Sequence, residues 1–265
     1  MLIYDVNNWV RVKMAESLGG CSIFSFWQEI MANHAAGKMQ LFVADGKDGN
    51  RIRRRLYSPY KMQRKPADAS IYDGINFFKE LLVDAPKEIS YIEVDGFEAD
   101  DVIANIAYNY SSANIPVTII STDKDLTQLQ QLNGVLTLGK PKTEPRFVRL
   151  YKMLVGDSSD NIPGVKGFGE KSWEKTSEDF RVRMLYLFMK YPTPEEMPKD
   201  YFKKLCELNM PTGQVSAMMA ALESGELHTY YKIIGFFKVP ENLMNFKYGT
   251  GRQDIINEKM KDYRL

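Results

Sequence analysis

Cysteine is scarce in this sequence, which contains only two among 265 residues. Cys21 and Cys206 lie far apart and neither belongs to a CxxC pair, so we expect neither a disulfide framework nor a zinc site. The sequence also lacks a basic N-terminal segment followed by an apolar stretch, and it has no window of about 18 apolar residues. These absences predict a protein of a reducing cytoplasm, with no signal peptide and no membrane contact.

A charge excess of either sign is lacking as well, because 35 Lys and Arg nearly balance 34 Asp and Glu. Nucleic-acid-binding proteins often carry a large positive excess, so the net charge of +1 argues weakly against one. The distribution of charge along the chain is more informative than its sum. Hydrophobic residues make up 44% and charged residues 26%, which is typical of a globular chain with a sizeable core.

Short apolar runs that end at acidic residues dominate the first 140 positions. They are about five residues long and rich in β-branched and aromatic residues, and they predict buried strands. Helical patterns separate them, and this alternation predicts an α/β fold with a mostly parallel central sheet flanked by helices. The predicted strands are 2–5, 41–45, 91–94, 117–120 and 134–138, and the predicted helices are 22–36, 70–82, 99–110 and 124–131.

Strand patterns fade after about residue 150, and helices and loops replace them. Helices are predicted at 181–191, 201–208 and 215–227, with a proline-containing break at 192–198. We therefore predict two domains, an α/β core at residues 1–150 and a helical region at residues 151–265.

Acidic residues follow the predicted strands or open the helices after them. Ligands of parallel sheets bind beyond the carboxyl ends of the strands, so these side chains are expected to converge. Grouped like charges destabilise a fold unless cations neutralise them, and carboxylate oxygens favour Mg²⁺ or Mn²⁺. Two such ions about 3.5–4 Å apart can activate a water and stabilise the leaving oxygen in phosphodiester cleavage. The acids concerned are Asp5, Asp45, Glu98, Asp100, Asp101, Asp123, Asp125, Asp157 and Asp160.

Helix capping is the alternative explanation for any one of these acids. Asp and Glu at a helix N-terminus accept hydrogen bonds from its free N–H groups and interact favourably with its dipole. Glu98 and Asp123 could each be a cap alone. The complete set is harder to explain in this way, because capping does not require acids at four strand ends together.

A basic segment closely follows Asp45. Residues 51–65 contain seven Lys or Arg and no acid, with Tyr57 and Tyr60 among them. Guanidinium groups bind phosphates bidentately, and tyrosines stack on unpaired bases. The segment therefore favours contact with a nucleic-acid backbone over its alternative, a solvated loop.

Four blocks of the sequence resemble the flap endonuclease and 5′–3′ exonuclease family. That family includes the 5′-nuclease domains of bacterial DNA polymerase I and stand-alone phage enzymes. The blocks lie in the family's order and spacing within residues 1–175. They read FVADGKDGNRIRRRLYSPYKMQR, GFEADDVIA, STDKDLTQL and GDSSDNIPGVKGFGEK. The resemblance implies a PIN-like or resolvase-like sheet and a helix–hairpin–helix (H3TH) motif at residues 157–175.

The resemblance also implies two divalent ions, Mg²⁺ or Mn²⁺, and a role for each matching acid. Asp5, Asp45, Glu98 and Asp100 would hold the first ion, directly or through water, and Asp101 would support this cluster. The second cluster would consist of Asp123, Asp125, Asp157 and Asp160.

Basic residues that contact the scissile phosphate are implied in the same way. They are the catalytic candidates Arg53, or Arg54 if the alignment shifts by one residue, and Lys61, with Tyr60 and Arg64 flanking them on the DNA. Residues from about 51 to 82 would form an arch or clamp through which a 5′ single strand passes, although the segment is short for a full arch.

The glycines of the last block predict a tight turn with close backbone approach to a ligand. Backbone N–H groups at the start of the next helix can hold a phosphate. In the family this hairpin grips duplex DNA, often with a bound K⁺, whereas the plain alternative is a helix–turn–helix connection. The expected DNA-binding residues here are Gly164, Gly167, Gly169 and Lys171.

The resulting expectation is a structure-specific 5′ nuclease, monomeric, acting on DNA with a 5′ end, flap or nick, or on an RNA–DNA hybrid, with replication proteins as candidate partners. A PIN-type ribonuclease would lack the helix–hairpin–helix block, and a non-catalytic DNA-binding relative would have lost acids. A polymerase-linked domain would continue well beyond Leu265, so the length favours a free-standing enzyme of the phage type, active in the host cytoplasm.

Overall fold

The computed structural model describes residues 1–16 and 21–261, and the chain divides into two compact units. Unit 1 consists of Met1–Arg51, Lys65–Lys140 and Phe237–Leu265, and unit 2 consists of Ile52–Arg64 and Pro141–Phe236. These limits differ from the predicted division at residue 150. Residues 52–64 lie in unit 2, and the segment from residue 237 onward returns to unit 1.

Unit 1 contains a six-stranded sheet, and the five predicted strands are confirmed. The sheet order is β5-β4-β1-β2-β3-β6, and every neighbouring pair is parallel except β3 with β6. Because β1 lies between β2 and β4, the carboxyl ends of these three strands are adjacent. The strands are β1 (Leu2–Asp5), β2 (Gln40–Asp45), β3 (Ser90–Val94), β4 (Val117–Ile120), β5 (Val135–Thr137) and β6 (Lys247–Tyr248).

The described residues form twelve α-helices, and none of them is long and apolar enough to cross a membrane. In unit 1 these are α1 (Val6–Glu16), α2 (Cys21–Ala35), α4 (Ala69–Asp84), α5 (Ala99–Ser112) and α12 (Gln253–Lys259). In unit 2 they are α3 (Arg51–Leu56), α6 (Val148–Val155), α7 (Glu170–Lys175), α8 (Glu178–Lys190), α9 (Lys199–Glu207), α10 (Thr212–Glu223) and α11 (Glu226–Ile234). The first residue of α3, Arg51, still belongs to unit 1.

Two helix predictions need correction. The helix expected at 124–131 is a 3-10 helix, Asp125–Gln131, with i to i+3 bonds such as Thr127 N–H to Lys124 O at 3.2 Å. The helix expected at 215–227 is divided into α10 and α11. Gly225 separates them because its φ of +79° is outside the helical range.

Aromatic rings form the centre of the core of unit 1. Tyr4 stacks on Phe42 with ring centroids 4.6 Å apart, and Phe26 stacks on Phe78 at 4.7 Å. Phe78 belongs to α4, whose buried face packs into this core. Residues 69–82 are therefore part of the folded core, and the structure does not support an arch that extends to residue 82.

Unit 2 has a separate core built mainly by its helices. Trp173 of α7 contacts Phe147 and Tyr151 edge to face. Phe168, at the turn before α7, is also buried in this core. Residues 156–169, here called the hairpin, join α6 to α7, and the helix–hairpin–helix predicted at 157–175 covers most of this hairpin and α7.

Within unit 1, a buried carboxylate of α4 attaches the C-terminal segment. Asp84, 1% exposed, lies at the end of α4 and accepts hydrogen bonds from Arg252 Nε at 2.9 Å and Lys259 Nζ at 2.9 Å. The hydrogen bond from Lys259 is the largest influence on Asp84, and it lowers the pKa of that carboxyl. The ion pairs fix α12 beside α4.

Replacing Asp84 with Ala is expected to lower the unfolding free energy by about 2–3 kcal/mol at pH 7, because two cations lose their partner. Since the pKa is lowered in the folded state, this contribution is present above the unfolded pKa and is lost as the pH falls through the folded pKa. Urea unfolding at pH 7 measures the difference. Asp254→Ala, an exposed acid of α12, is the control, and equal stabilities of the two variants would contradict the assignment.

Candidate active site

Three aspartates lie at adjacent strand ends in unit 1. Asp5 ends β1, Asp45 ends β2, and Asp123 follows β4 by three residues. Asp5 is only 4% exposed, and its carboxylate accepts hydrogen bonds from Asn8 N at 3.1 Å and from Ser121 Oγ at 3.0 Å. Asp45 and Asp123 both lie close enough to Asp5 for their charges to act on its carboxyl group.

The charge on Asp5 is disfavoured by its surroundings. Burial, and then the negative charge of Asp45, raise the pKa of Asp5 from 3.8 to about 7, with a smaller contribution from Asp123. The hydrogen bonds from Asn8 and Ser121 act in the opposite direction but are outweighed. The charges that raise the pKa of Asp5 belong to two other carboxylates, Asp45 and Asp123, so a divalent cation bound among them would offset their repulsion.

Asp45 is held against the start of α5. Its Oδ1 accepts a hydrogen bond from Ala99 N at 2.8 Å. Gly46 allows this approach, because a Cβ atom at that position would lie 1.9 Å from Val94 O. The contact brings Asp45 to the helix turn that carries Glu98 and Asp100. These three acids and Asp5 are the predicted ligands of the first ion, and all four belong to unit 1.

Asp101 has a different role from the other acids. It is 1% exposed, and its Oδ1 accepts from Phe237 N at 2.8 Å while Oδ2 accepts from Glu98 N at 3.4 Å. Both oxygens therefore face backbone N–H groups. These contacts favour the supporting role that the resemblance implies for Asp101 in the cluster.

A buried serine that the sequence reading did not single out connects two of the acids. Ser121 Oγ donates to Asp5 and accepts from Asp123 N at 3.1 Å, and Ser121 is fully buried. Asp123 Oδ1 in turn accepts from Asp125 N at 2.8 Å. The signal was present, since Ser121 opens the block STDKDLTQL directly after β4.

The two acids of the hairpin block, both in unit 2, are paired with cationic side chains. Asp157 contacts Lys152 Nζ at 2.6 Å, and Asp160 contacts Arg64 at 2.9 Å and Lys61 Nζ at 3.8 Å. For Asp157, burial raises the pKa, but Lys152 and the hydrogen bonds from Ser159 together outweigh it and the pKa is lowered. For Asp160, burial outweighs the attraction of Lys61 and the pKa is raised.

Two predicted DNA contacts of the basic segment are not available to a ligand. Arg53 is 4% exposed, and its guanidinium donates to Ile233 O at 3.0 Å and Gly235 O at 3.1 Å. Tyr60 is 2% exposed and packs in the core of unit 2. The assignments of Arg53 to phosphate and of Tyr60 to DNA are corrected, because Arg53 lies on the buried side of α3 and Tyr60 is packed in the core. Arg54 is exposed and takes the place of Arg53 as the candidate.

Arg53→Ala and Arg54→Ala are expected to affect different properties, the stability of the fold in the first and DNA binding in the second. Arg53→Ala leaves two buried carbonyl oxygens without their donor, which is expected to cost about 2–4 kcal/mol of stability. Arg54→Ala is expected to leave the melting temperature unchanged and to weaken DNA binding. Calorimetric melting and fluorescence anisotropy of the two variants measure this, and a stable Arg53→Ala variant would contradict the structural role.

The glycines of the hairpin divide into two kinds. Gly164 has a φ of +70° and a Cβ there would lie 2.5 Å from Gly156 N, so it serves packing within the motif. Gly167 and Gly169 have no atom within 4 Å of a Cβ position, and Lys171 is exposed in the first turn of α7. Of the four residues predicted in the hairpin, Gly167, Gly169 and Lys171 are exposed and Gly164 is partly buried.

Three carbonyl oxygens of the hairpin, where the resemblance implies a bound K⁺, accept hydrogen bonds from N–H groups. Val165 O accepts from Phe168 N at 2.9 Å, and Gly169 O accepts from Ser172 N at 2.9 Å. Gly167 O accepts from Gln214 Nε2 at 2.9 Å.

A mostly parallel sheet with carboxylates at the ends of its central strands defines an α/β protein of the resolvase-like class. The family described as "5′-3′ exonuclease, N-terminal resolvase-like domain" matches residues 17–150, which is half of the sequence. The chain belongs to this family of 5′–3′ exonucleases and flap endonucleases.

Named relatives agree with this assignment. DNA polymerase I of Caldicellulosiruptor bescii is 35% identical over 157 residues, 52% of this chain and 18% of the relative. Flap endonuclease Xni of Shewanella piezotolerans is 36% identical over 173 residues, 60% of this chain and 65% of the relative. The matches thus span less than two thirds of each relative.

The fold has a counterpart in a solved structure. The T5 5′-exonuclease, solved with bound zinc ions, is similar over 99% of this chain and 97% of its own, with a TM-score of 0.59. Its sequence identity to this chain is 17%, so the similarity concerns the fold.

Proposed function

We propose that this chain is a metal-dependent 5′ nuclease with 5′–3′ exonuclease and flap endonuclease activity on DNA. The observation that carries the proposal is the buried Asp5, whose pKa is raised to about 7 by burial and by Asp45 and Asp123. Carboxylates kept in such mutual repulsion are destabilising unless a cation joins them. The four matching sequence blocks and the family membership point to the same chemistry.

The donor set of unit 1 fits a hard divalent cation, and we propose Mg²⁺, with Mn²⁺ as a substitute. Asp5, Asp45, Glu98 and Asp100 are its proposed ligands, directly or through water. When bound, such an ion lowers the pKa of a water molecule and neutralises charge at the phosphate. The chain's own part is to hold the carboxylates in place, Asp5 through Asn8 and Ser121 and Asp45 through Ala99 N.

A second ion, with Asp123, Asp125, Asp157 and Asp160 as ligands, remains a proposal from the resemblance. In unit 2 the cations of Lys152, Lys61 and Arg64 already balance the two acids of the hairpin. An ion that binds Asp157 would therefore have to displace the ammonium group of Lys152. This competition predicts that the second ion binds more weakly than the first.

Basic residues of unit 2 are proposed to bind the substrate. Lys61, with a side chain 15% exposed, and the exposed Arg54 are the candidates for the scissile phosphate. Lys171 and the open backbone at Gly167 and Gly169 are the candidates for the duplex backbone. The products would be strands with a 5′-phosphate, formed by in-line attack of water at phosphorus without a covalent enzyme intermediate.

Product mapping on an end-labelled 5′-flap DNA tests the proposal. Cleavage near the flap junction is expected with Mg²⁺ or Mn²⁺, and none is expected with EDTA. A nicked duplex, an RNA–DNA hybrid and a single-stranded RNA are assayed in parallel. Preferential cleavage of the single-stranded RNA would favour a PIN-type ribonuclease. DNA binding without cleavage in any metal would favour a non-catalytic relative.

Action as a monomer and docking to replication proteins are further proposals, which sedimentation and pull-down experiments would test.

A further inference from the structure

Gln214, in helix α10, forms hydrogen bonds to the hairpin and to α7. Gln214 Nε2 donates to Gly167 O at 2.9 Å and to Ser172 Oγ at 2.9 Å. Gly167 is at the hairpin turn and Ser172 is in α7, so one amide group joins the turn and the following helix to α10. Gln214 lies in the first turn of α10, where its own N–H bonds to Pro211 O at 2.9 Å.

The hairpin turn needs such a contact because its outer side is open. Gly167 has a φ of +77°, and neither Gly167 nor Gly169 has an atom within 4 Å of a Cβ position. The buried side chains of Val165 and Phe168 anchor one side of the turn. Two glycines within three residues otherwise leave the backbone many conformations, which would have to be lost when a phosphate binds.

We propose that Gln214 is a positioning residue for DNA binding, which keeps the hairpin backbone in its binding conformation before the duplex arrives. This inference rests on the proposed function, in which the hairpin contacts the duplex backbone. Gln214 touches neither metal ligands nor phosphate in this role. Its removal therefore changes the affinity for DNA and leaves the chemical step unaffected.

Gln214→Met tests the inference, because methionine keeps the length and the helix propensity of glutamine but has no N–H donor. The Kd for a duplex with a 5′ flap, measured by fluorescence anisotropy in EDTA, is expected to rise about tenfold, which corresponds to the loss of about one or two hydrogen bonds. KM is expected to rise with it while kcat stays unchanged. Amide hydrogen exchange at residues 166–169 is expected to accelerate.

Two further variants separate the possible outcomes. Ser216→Ala, on the same helix, removes a hydroxyl that donates only within α10, to Thr212 O, and should behave as the wild type. The double variant Lys166→Ala/Lys171→Ala removes two exposed charges of the hairpin region and should weaken binding and reduce the salt dependence. Gln214→Met should leave the salt dependence unchanged, because no charge is lost.

Unchanged Kd in Gln214→Met, together with weakened binding in the lysine variant, would overturn the inference and leave the proposed function intact. A fall in kcat at unchanged KM would overturn it as well. Unchanged binding in both variants would instead remove the hairpin from the proposed function. Gln214→Leu serves as a second donor-free variant if the methionine variant does not fold.

Discussion

Replacing Asp123 with Asn is expected to slow phosphodiester cleavage by about a thousandfold or more, because the proposed second ion loses a carboxylate ligand. DNA binding is expected to remain largely intact, since asparagine keeps the Oδ1 that accepts the hydrogen bond from Asp125 N. Single-turnover cleavage of a 5′-flap DNA at saturating Mg²⁺ measures the chemical step, and anisotropy in EDTA measures binding.

Asp95→Asn is the matched control for this variant. Asp95 is an exposed aspartate that directly follows β3, and its Oδ1 accepts from Lys47 N at 3.1 Å. It has the same side chain at another strand end but is outside the proposed ligand set. Turnover of Asp123→Asn at the wild-type rate, or an equal loss in both variants, would contradict the ligand assignment.

The stability of the metal-free protein is expected to decrease as the pH rises from 5 to 7. The folded pKa of Asp5 is about 7 and its ordinary value is 3.8, so in this range the unfolded state loses its proton and the folded state keeps it. Ionisation then favours unfolding, and the expected loss is about 3 kcal/mol at about 1.4 kcal/mol per pH unit. Urea unfolding in EDTA at both pH values measures it.

Asp5→Asn is expected to remove this part of the pH dependence, because asparagine does not titrate. Saturating Mg²⁺ at pH 7.5 should stabilise the wild type by mass action and should stabilise Asp5→Asn far less. Asp95→Asn again serves as the control and should respond to Mg²⁺ as the wild type does. If the unfolding free energies of the wild type and of Asp5→Asn depended on pH in the same way in EDTA, Asp5 would not experience the repulsion from the neighbouring carboxylates.

The strands of the sheet could be predicted closely from the sequence because buried parallel strands are short, apolar and β-branched. The segment 117–120 matches β4 residue for residue. The pair β6 and α12 could not be predicted, since their attachment depends on Asp84 meeting Arg252 and Lys259 from a distant part of the sequence. A charged residue gives no local signal that it will be buried in an ion pair.

The acids of the candidate site could be predicted from their positions at strand ends, but the roles of their neighbours could not. Arg53 and Arg54 are adjacent and identical in type, and only the packing of α3 decides that Arg53 is buried and Arg54 is exposed. Asp101 stands beside Asp100 in the block GFEADDVIA, yet its carboxylate accepts a hydrogen bond from Phe237 N, which lies 136 residues away in the sequence. Such long-range contacts leave no pattern in a single sequence.

A crystal of the wild-type protein soaked in Mn²⁺ tests the central claim most directly, because anomalous scattering locates the ion itself. The account predicts a strong anomalous peak within coordination distance of Asp5 and Asp45, at about 2.0–2.3 Å from their carboxylate oxygens or joined to them by water. The same soak of Asp5→Asn should give a weaker peak or none. A wild-type map without a peak among these strand ends, at a Mn²⁺ concentration that supports cleavage, would contradict the account.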